Sequence, residues 1–326
     1  MRKILLFCHI ILFICFIDAA AQQQPLYSQY MMNGFLINPA MAGGDGYTSF
    51  NLTARQQWLG FVNAPSTQSF SAQSRLLKRG YIIKTRQNKG NRFIPGRDGR
   101  VGIGGFIYND KNGLVNRTGL QFSYAYHIEI RHAQLSFGLS GSVFQFKINK
   151  DELFFHDEGD PLMNSELSNP LYVPDASAGV YLQNRKFFAG ISASQLFQSP
   201  LKIGSVDFRN FRMYRHYYLT GGYRFSLAND AELEPSVLLQ VTEQLIAQSD
   251  IGCKVYFKEN YWAGMSVRTS GAFILLAGIQ LKNLYIGYAF DYNFSAIRKH
   301  SFGSHELSLA IKLGDDARRF RWLNRY

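Results

Sequence analysis

LYIGYAFDYN, residues 284–293, decides the fold. Leu284, Ile286, Tyr288, Phe290 and Tyr292 fall on one face of an extended chain, and Tyr285, Gly287, Ala289, Asp291 and Asn293 on the other. The repeat is therefore two residues, the period of a strand. One face is apolar and aromatic; the other is small or polar. The stretch 304–313 sets Leu307, Leu309, Ile311 and Leu313 opposite Glu306, Ser308, Ala310 and Lys312 in the same way. Segment 217–227 opposes Tyr217, Leu219, Tyr223 and Phe225 to Tyr218, Thr220, Gly222, Arg224 and Ser226. In 120–130, Leu120, Phe122, Tyr124, Tyr126 and Ile128 oppose Gln121, Ser123, Ala125, His127 and Glu129.

Extended along the chain, this reading gives about fourteen segments, at 48–55, 67–76, 101–110, 118–130, 134–148, 175–183, 186–196, 215–227, 231–242, 248–257, 261–269, 272–281, 284–293 and 304–313. Most match the ~9–11 residues that a tilted strand needs to cross a bilayer; strands of soluble sandwiches more often run ~5–6. Lipid cannot hydrogen-bond an open sheet edge, so spanning strands must close into a barrel, and an even strand number is expected. The fold class expected is all-β, a transmembrane antiparallel β-barrel of about fourteen strands over 48–313. A ring of that size is too wide for wall side chains to fill and needs a water-filled lumen or a plug.

Composition agrees. Aromatics make up 15% of the 326 residues and charged residues only 18%, below the quarter usual in soluble domains. The connections are an independent test, because outer-membrane barrels alternate short periplasmic turns with longer external loops. The even connections 131–132, 184–185, 228–230, 259–260 and 282–283 are short, whereas 149–174, 197–214 and 294–303 are long odd ones. This parity puts both termini in the periplasm, including a tail at 314–326.

The first 21 residues read as an export signal: Arg2 and Lys3, an apolar run from Ile4 to Ile17, and Ala19-Ala20-Ala21 for cleavage. Its removal takes Cys8 and Cys15 and leaves Cys253 alone, so the mature chain has no intrachain disulfide. No later run reaches the 18 apolar residues of a membrane-spanning helix.

One even connection breaks the pattern. The insert 77–100 carries Lys78, Arg79, Lys84, Arg86, Lys89, Arg92, Arg97 and Arg100 against Asp98. It reads either as a solvated loop or as an electrostatic contact for an acidic protein surface; an exported chain gives no reason to expect nucleic acid. No catalytic constellation stands out. His127 and Glu129 share a lumen-facing side, the ordinary place for polar groups in a barrel. The acidic run 156–160 lacks EF-hand spacing, Gly102-Ile103-Gly104-Gly105 is not a dinucleotide motif, and no serine lies in GxSxG.

The stretch 27–67 differs from everything after it. The matching residues are Ser28-Gln29-Tyr30-Met31-Met32-Asn33, Leu36-Ile37-Asn38-Pro39-Ala40-Met41-Ala42-Gly43, Arg55-Gln56-Gln57-Trp58-Leu59-Gly60-Phe61 and Ala64-Pro65-Ser66-Thr67. This block resembles the N-terminal signature of the PorP/SprF family, Bacteroidetes outer-membrane proteins of type IX secretion and gliding motility. The resemblance implies a barrel that helps secrete or anchor a large adhesin, or that meets periplasmic lipoprotein and ring components. It implies no cofactor and no catalytic residue.

From the residues themselves, the amide- and aromatic-rich segment 22–47 is expected to enter from the periplasm and partly plug the lumen, the alternative being a flexible leader. Tyr30, Asn38, Pro39, Arg55, Trp58 and Pro65, with the basic residues of the insert, are the partner-binding or structural candidates. Trp58 and Phe61 are expected at the membrane interface. A porin or hydrophobic-solute transporter, and a soluble secreted β-protein, are the competing readings.

Overall fold

The computed structural model describes residues 27–76, 100–130, 133–149, 170–199, 213–227, 231–258 and 260–314. The segment 1–21 read as an export signal, nearly all of the basic insert, the acidic run 156–160 and the tail from 315 lie outside these residues. Fourteen antiparallel strands form the wall: β1 (Thr48–Gln56), β2 (Ser66–Leu76), β3 (Val101–Asn112), β4 (Val115–Ile130), β5 (Ala133–Ile148), β6 (Leu171–Gln183), β7 (Phe187–Ser194), β8 (His216–Tyr223, continued by Phe225–Ser226), β9 (Ala231–Thr242), β10 (Ala247–Phe257), β11 (Tyr261–Arg268), β12 (Ala272–Leu281), β13 (Leu284–Asn293) and β14 (Ser304–Leu313). Each strand pairs with its sequence neighbours, and β1 pairs with β14 from Thr48↔Leu313 to Gln56↔His305, so the sheet closes without an edge.

The alternation read from the sequence becomes an inside and an outside. Along β1, Ser49, Asn51, Thr53 and Arg55 are buried in the lumen while Phe50 and Leu52 face out. Along β4, Gln121, Ser123, Ala125 and His127 point inward and Leu120, Phe122, Tyr124 and Tyr126 outward. A one-residue slip would invert every pair and put hydroxyls and amides into lipid, which fixes the register.

The sequence reads 215–227 as continuous, but β8 is interrupted at Arg224. The break falls across from Glu234 and Pro235 in the register with β9, and Pro235 has no N–H to give the ladder. Arg224 stays attached to the barrel through its own N–H, which donates to Lys186 O at 2.6 Å.

The connections 57–65 and 294–303 lie at one mouth, together with the strand ends that border 149–170 and 195–215, and the tight turns such as 282–283 at the other. At the long-loop mouth two connections are stitched together: Leu59 N donates to Gly303 O and Phe302 N to Leu59 O, each at 2.8 Å.

The remaining described segment, 27–47, lies inside the barrel. None of its residues is exposed. It carries two 3-10 turns, Gly34–Leu36 and Pro39–Met41. Asn38 caps the second by accepting from Ala40 N at 3.0 Å, and Pro39 occupies the first position of that turn, where a missing N–H costs nothing.

The direction of this segment differs from the one expected if the short turns face the periplasm, since 22–47 was expected to enter from that side. Instead Ser28 and Gln29 bond to Asp291 and Glu306 at the long-loop ends of β13 and β14. Asp45, at the far end of the segment, pairs with Lys312 at the short-turn mouth. The segment therefore runs the length of the lumen from the long loops downward, and β1 turns back up beside it.

Candidate functional site

Near the long-loop mouth, five charged side chains from β1, β10, β11, β13 and β14 converge. Arg55 Nη2 lies 2.6 Å from Asp291 and Nη1 3.1 Å from Glu306. Arg268 holds Asp250 at 2.7 Å and reaches Asp291 at 3.5 Å. All five are almost fully buried. Three carboxylates against two guanidinium groups leave excess negative charge, which attracts donors. The plug supplies them: Ser28 N and Gln29 N donate to the two oxygens of Glu306 at 2.7 and 2.9 Å, and Ser28 Oγ donates to Asp291 at 2.7 Å. Arg55 Nη1 also donates to Ser28 Oγ at 2.8 Å, so this one residue joins wall to plug. Charge-assisted bonds of this kind are roughly twice as strong as neutral ones.

In the middle of the lumen the contacts become apolar and close. Tyr30 and Met31 cluster with Tyr218 and Leu238. Phe35 meets Phe106 edge-on at 6.1 Å between ring centroids, a favourable aromatic geometry. Asn33 Nδ2 donates to Ser71 Oγ at 2.9 Å, and Asn38 Nδ2 donates to Val180 O at 3.1 Å, across from Ser192 Oγ, which donates to Ile37 O at 2.6 Å. The wall is thinned where the segment presses on it. A Cβ at Gly138 would overlap the backbone of Pro39 and Ala40, and one at Gly102 would overlap Ala42 O.

At the short-turn mouth the plug offers bare carbonyls. Gly44 O accepts from Arg75 Nη1 at 3.3 Å, Gln134 Nε2 at 3.1 Å and Gln183 Nε2 at 3.3 Å. Ala42 O lies 2.9 Å from His127 Nε2; a carbonyl can only accept, so that nitrogen carries the proton. Among the described residues, one cavity of about 60 Å³ lies between Ile37, Pro39 and the wall at Phe106, Arg117 and Asp175, and another of about 40 Å³ beside Met32, Asn33 and Lys312, each with room for water.

The candidates read from the sequence now have places. Tyr30, Asn38, Pro39 and Arg55 gather in or against the plug. Trp58 and Pro65 stand apart in the first long loop: Trp58 has the left-handed φ of 47° and its N–H donates to Ser304 Oγ at 3.2 Å, while Pro65 is buried with its carbonyl accepting from Gln57 N at 2.8 Å. Lys78, Arg79, Lys84, Arg86, Lys89 and Arg92 lie outside the described residues. Sequence reasoning left out Asp250, Arg268, Asp291, Glu306, Arg75, Gln134 and Gln183. Their only signal was a large polar or charged side chain on the inward face of a strand whose other face is apolar.

A closed barrel with an apolar outer belt and a polar lumen filled by its own N-terminal segment defines a plugged outer-membrane β-barrel. The chain belongs to the PorP/SprF family of type IX secretion system membrane proteins, whose sequence profile matches residues 19–311. No curated protein matches the sequence. Among solved structures, the toluene transporter TbuX of Ralstonia pickettii aligns with a TM-score of 0.48 and 11% identity, covering 88% of this chain and 94% of its own. The outer membrane protein Omp33 of Acinetobacter baumannii aligns with a TM-score of 0.45 and 5% identity, covering 82% of this chain and 100% of its own.

Proposed function

We propose that this barrel is a non-enzymatic accessory of type IX secretion and gliding that holds a large secreted adhesin or a periplasmic lipoprotein or ring component, rather than passing or converting a substrate. The observation that carries this reading is the lumen: a segment bonded to the wall from Ser28 at one mouth to Asp45 at the other occupies it along its length. Membership of a secretion family supports a role in protein traffic. In this reading the long loops face outward and the short turns face the periplasm, the usual arrangement for such barrels. The basic insert would then meet an acidic periplasmic partner.

Planar-bilayer recordings test the first half. The purified protein is expected to show no large steady conductance, and a porin-like open channel would overturn the reading in favour of a transporter. Pull-down from detergent-solubilised outer membranes tests the second half. An adhesin or machine component is expected with the full chain, and weaker recovery of the periplasmic component is expected when 77–100 is deleted.

A further inference from the structure

We infer that the amino terminus of the mature protein is presented on the cell surface, at the mouth opposite the carboxy terminus. This rests on the orientation in the reading above, with the long loops outside. At the start of the described segment Ser28 and Gln29 are held by Glu306, Asp291 and Arg55, all at the long-loop ends of their strands. The far end of the segment is pinned equally firmly at the other mouth, where Gly44 O takes three side-chain donors and Asp45 pairs with Lys312 at 3.1 Å. The polarity of the segment is thus set at both ends and along the middle.

Reach completes the geometry. With cleavage after Ala21, the five residues preceding Tyr27 could extend at most about 18 Å. The apolar band of such a barrel is about 25 Å tall, so they are too short to return to the opposite mouth even if the lumen were free. Secretion delivers the chain from the periplasm, so the segment must be enclosed as β1 and β14 pair, not drawn in afterwards from outside. The plug is on this account part of barrel closure.

Epitope tags decide the matter. One tag is placed directly after the signal cleavage site, one after Tyr326, and a third after Gly113 in the β3–β4 turn, where nothing lies within 4 Å of an added Cβ. Antibody labelling of intact cells is expected for the amino-terminal and Gly113 tags, with the carboxy-terminal tag labelled only after permeabilisation. Surface labelling at Gly113 with a protected amino-terminal tag would overturn the inference and leave the orientation standing. Protection of both, with the carboxy-terminal tag exposed, would overturn both. If the tag prevents folding, seen as loss of heat-modifiable gel migration, Gln23→Cys, upstream of the buried segment, in a Cys253→Ser background replaces it. A membrane-impermeant maleimide is then expected to react on intact cells, and reaction only after permeabilisation would overturn the inference.

Discussion

Arg55 shows what a single residue decides here. Its guanidinium pairs with Asp291 and Glu306 and touches Ser28 of the plug, all away from water. Removing one partner of a buried pair strands the other charges, so Arg55→Met should destabilise the barrel by about 3–5 kcal/mol. Arg55→Lys keeps the charge but loses the planar fork, and its loss should be smaller but measurable. Urea midpoints read by gel migration check the order wild type, Lys, Met; a Met variant as stable as wild type would remove the cluster from the account of stability. The sequence marked Arg55 as unusual and put it on β1, but its partners lie 236 and 251 positions away. His127 is the converse case: it read as ordinary lumen polarity and proves to hold Ala42 O.

On the scale of one element, β5 carries two opposed tests in adjacent residues. Gly138 faces the lumen, against the backbone of Pro39 and Ala40, whereas Leu139 faces lipid at 66% exposure. Gly138→Val should leave a folded, heat-modifiable barrel but push the Pro39–Met41 turn off the wall, so its conductance should exceed that of the parent. Leu139→Arg should leave the plug alone and cost the fold about 2–4 kcal/mol if it lies near the bilayer midplane. Folding titrations of the two variants in lipid separate the effects; equal outcomes would mean the faces are wrongly assigned. Strands such as β5 were legible almost to their ends, because a period of two with aromatic and aliphatic residues on one side has no helical counterpart. The interruption of β8 was not legible, since it follows from Pro235 on the next strand rather than from β8 itself.

For the whole molecule, the plug and the wall are predicted to be one cooperative structure. Limited proteolysis should leave 27–47 intact in the folded barrel; rapid trimming to Thr48 without loss of stability would make the segment a leader and not a plug. Deleting 22–47 removes the donors to Glu306 and the turns that fill the middle, so the deletion should both open a conductance and lower the unfolding midpoint. A closed, stable deletion barrel would show that the wall fills its own lumen. The closure itself was legible: spanning strands of even number leave no other arrangement in lipid, and β1 pairs with β14 as that requires.

The sequence by itself determined the strands, which face of each meets lipid, the even count and the need to fill a wide lumen, because each is a local or additive property of side-chain order. Only the tertiary structure decided what fills the lumen and in which direction. Side-chain alternation tells that Glu306, Asp291 and Arg55 face inward, but not that they meet one another at one mouth, nor that Ser28 and Gln29 end up between them. Those meetings depend on how strands distant in sequence sit around a closed ring, and a chain that reads the same in either direction through the lumen is oriented only by the groups it finds at each end.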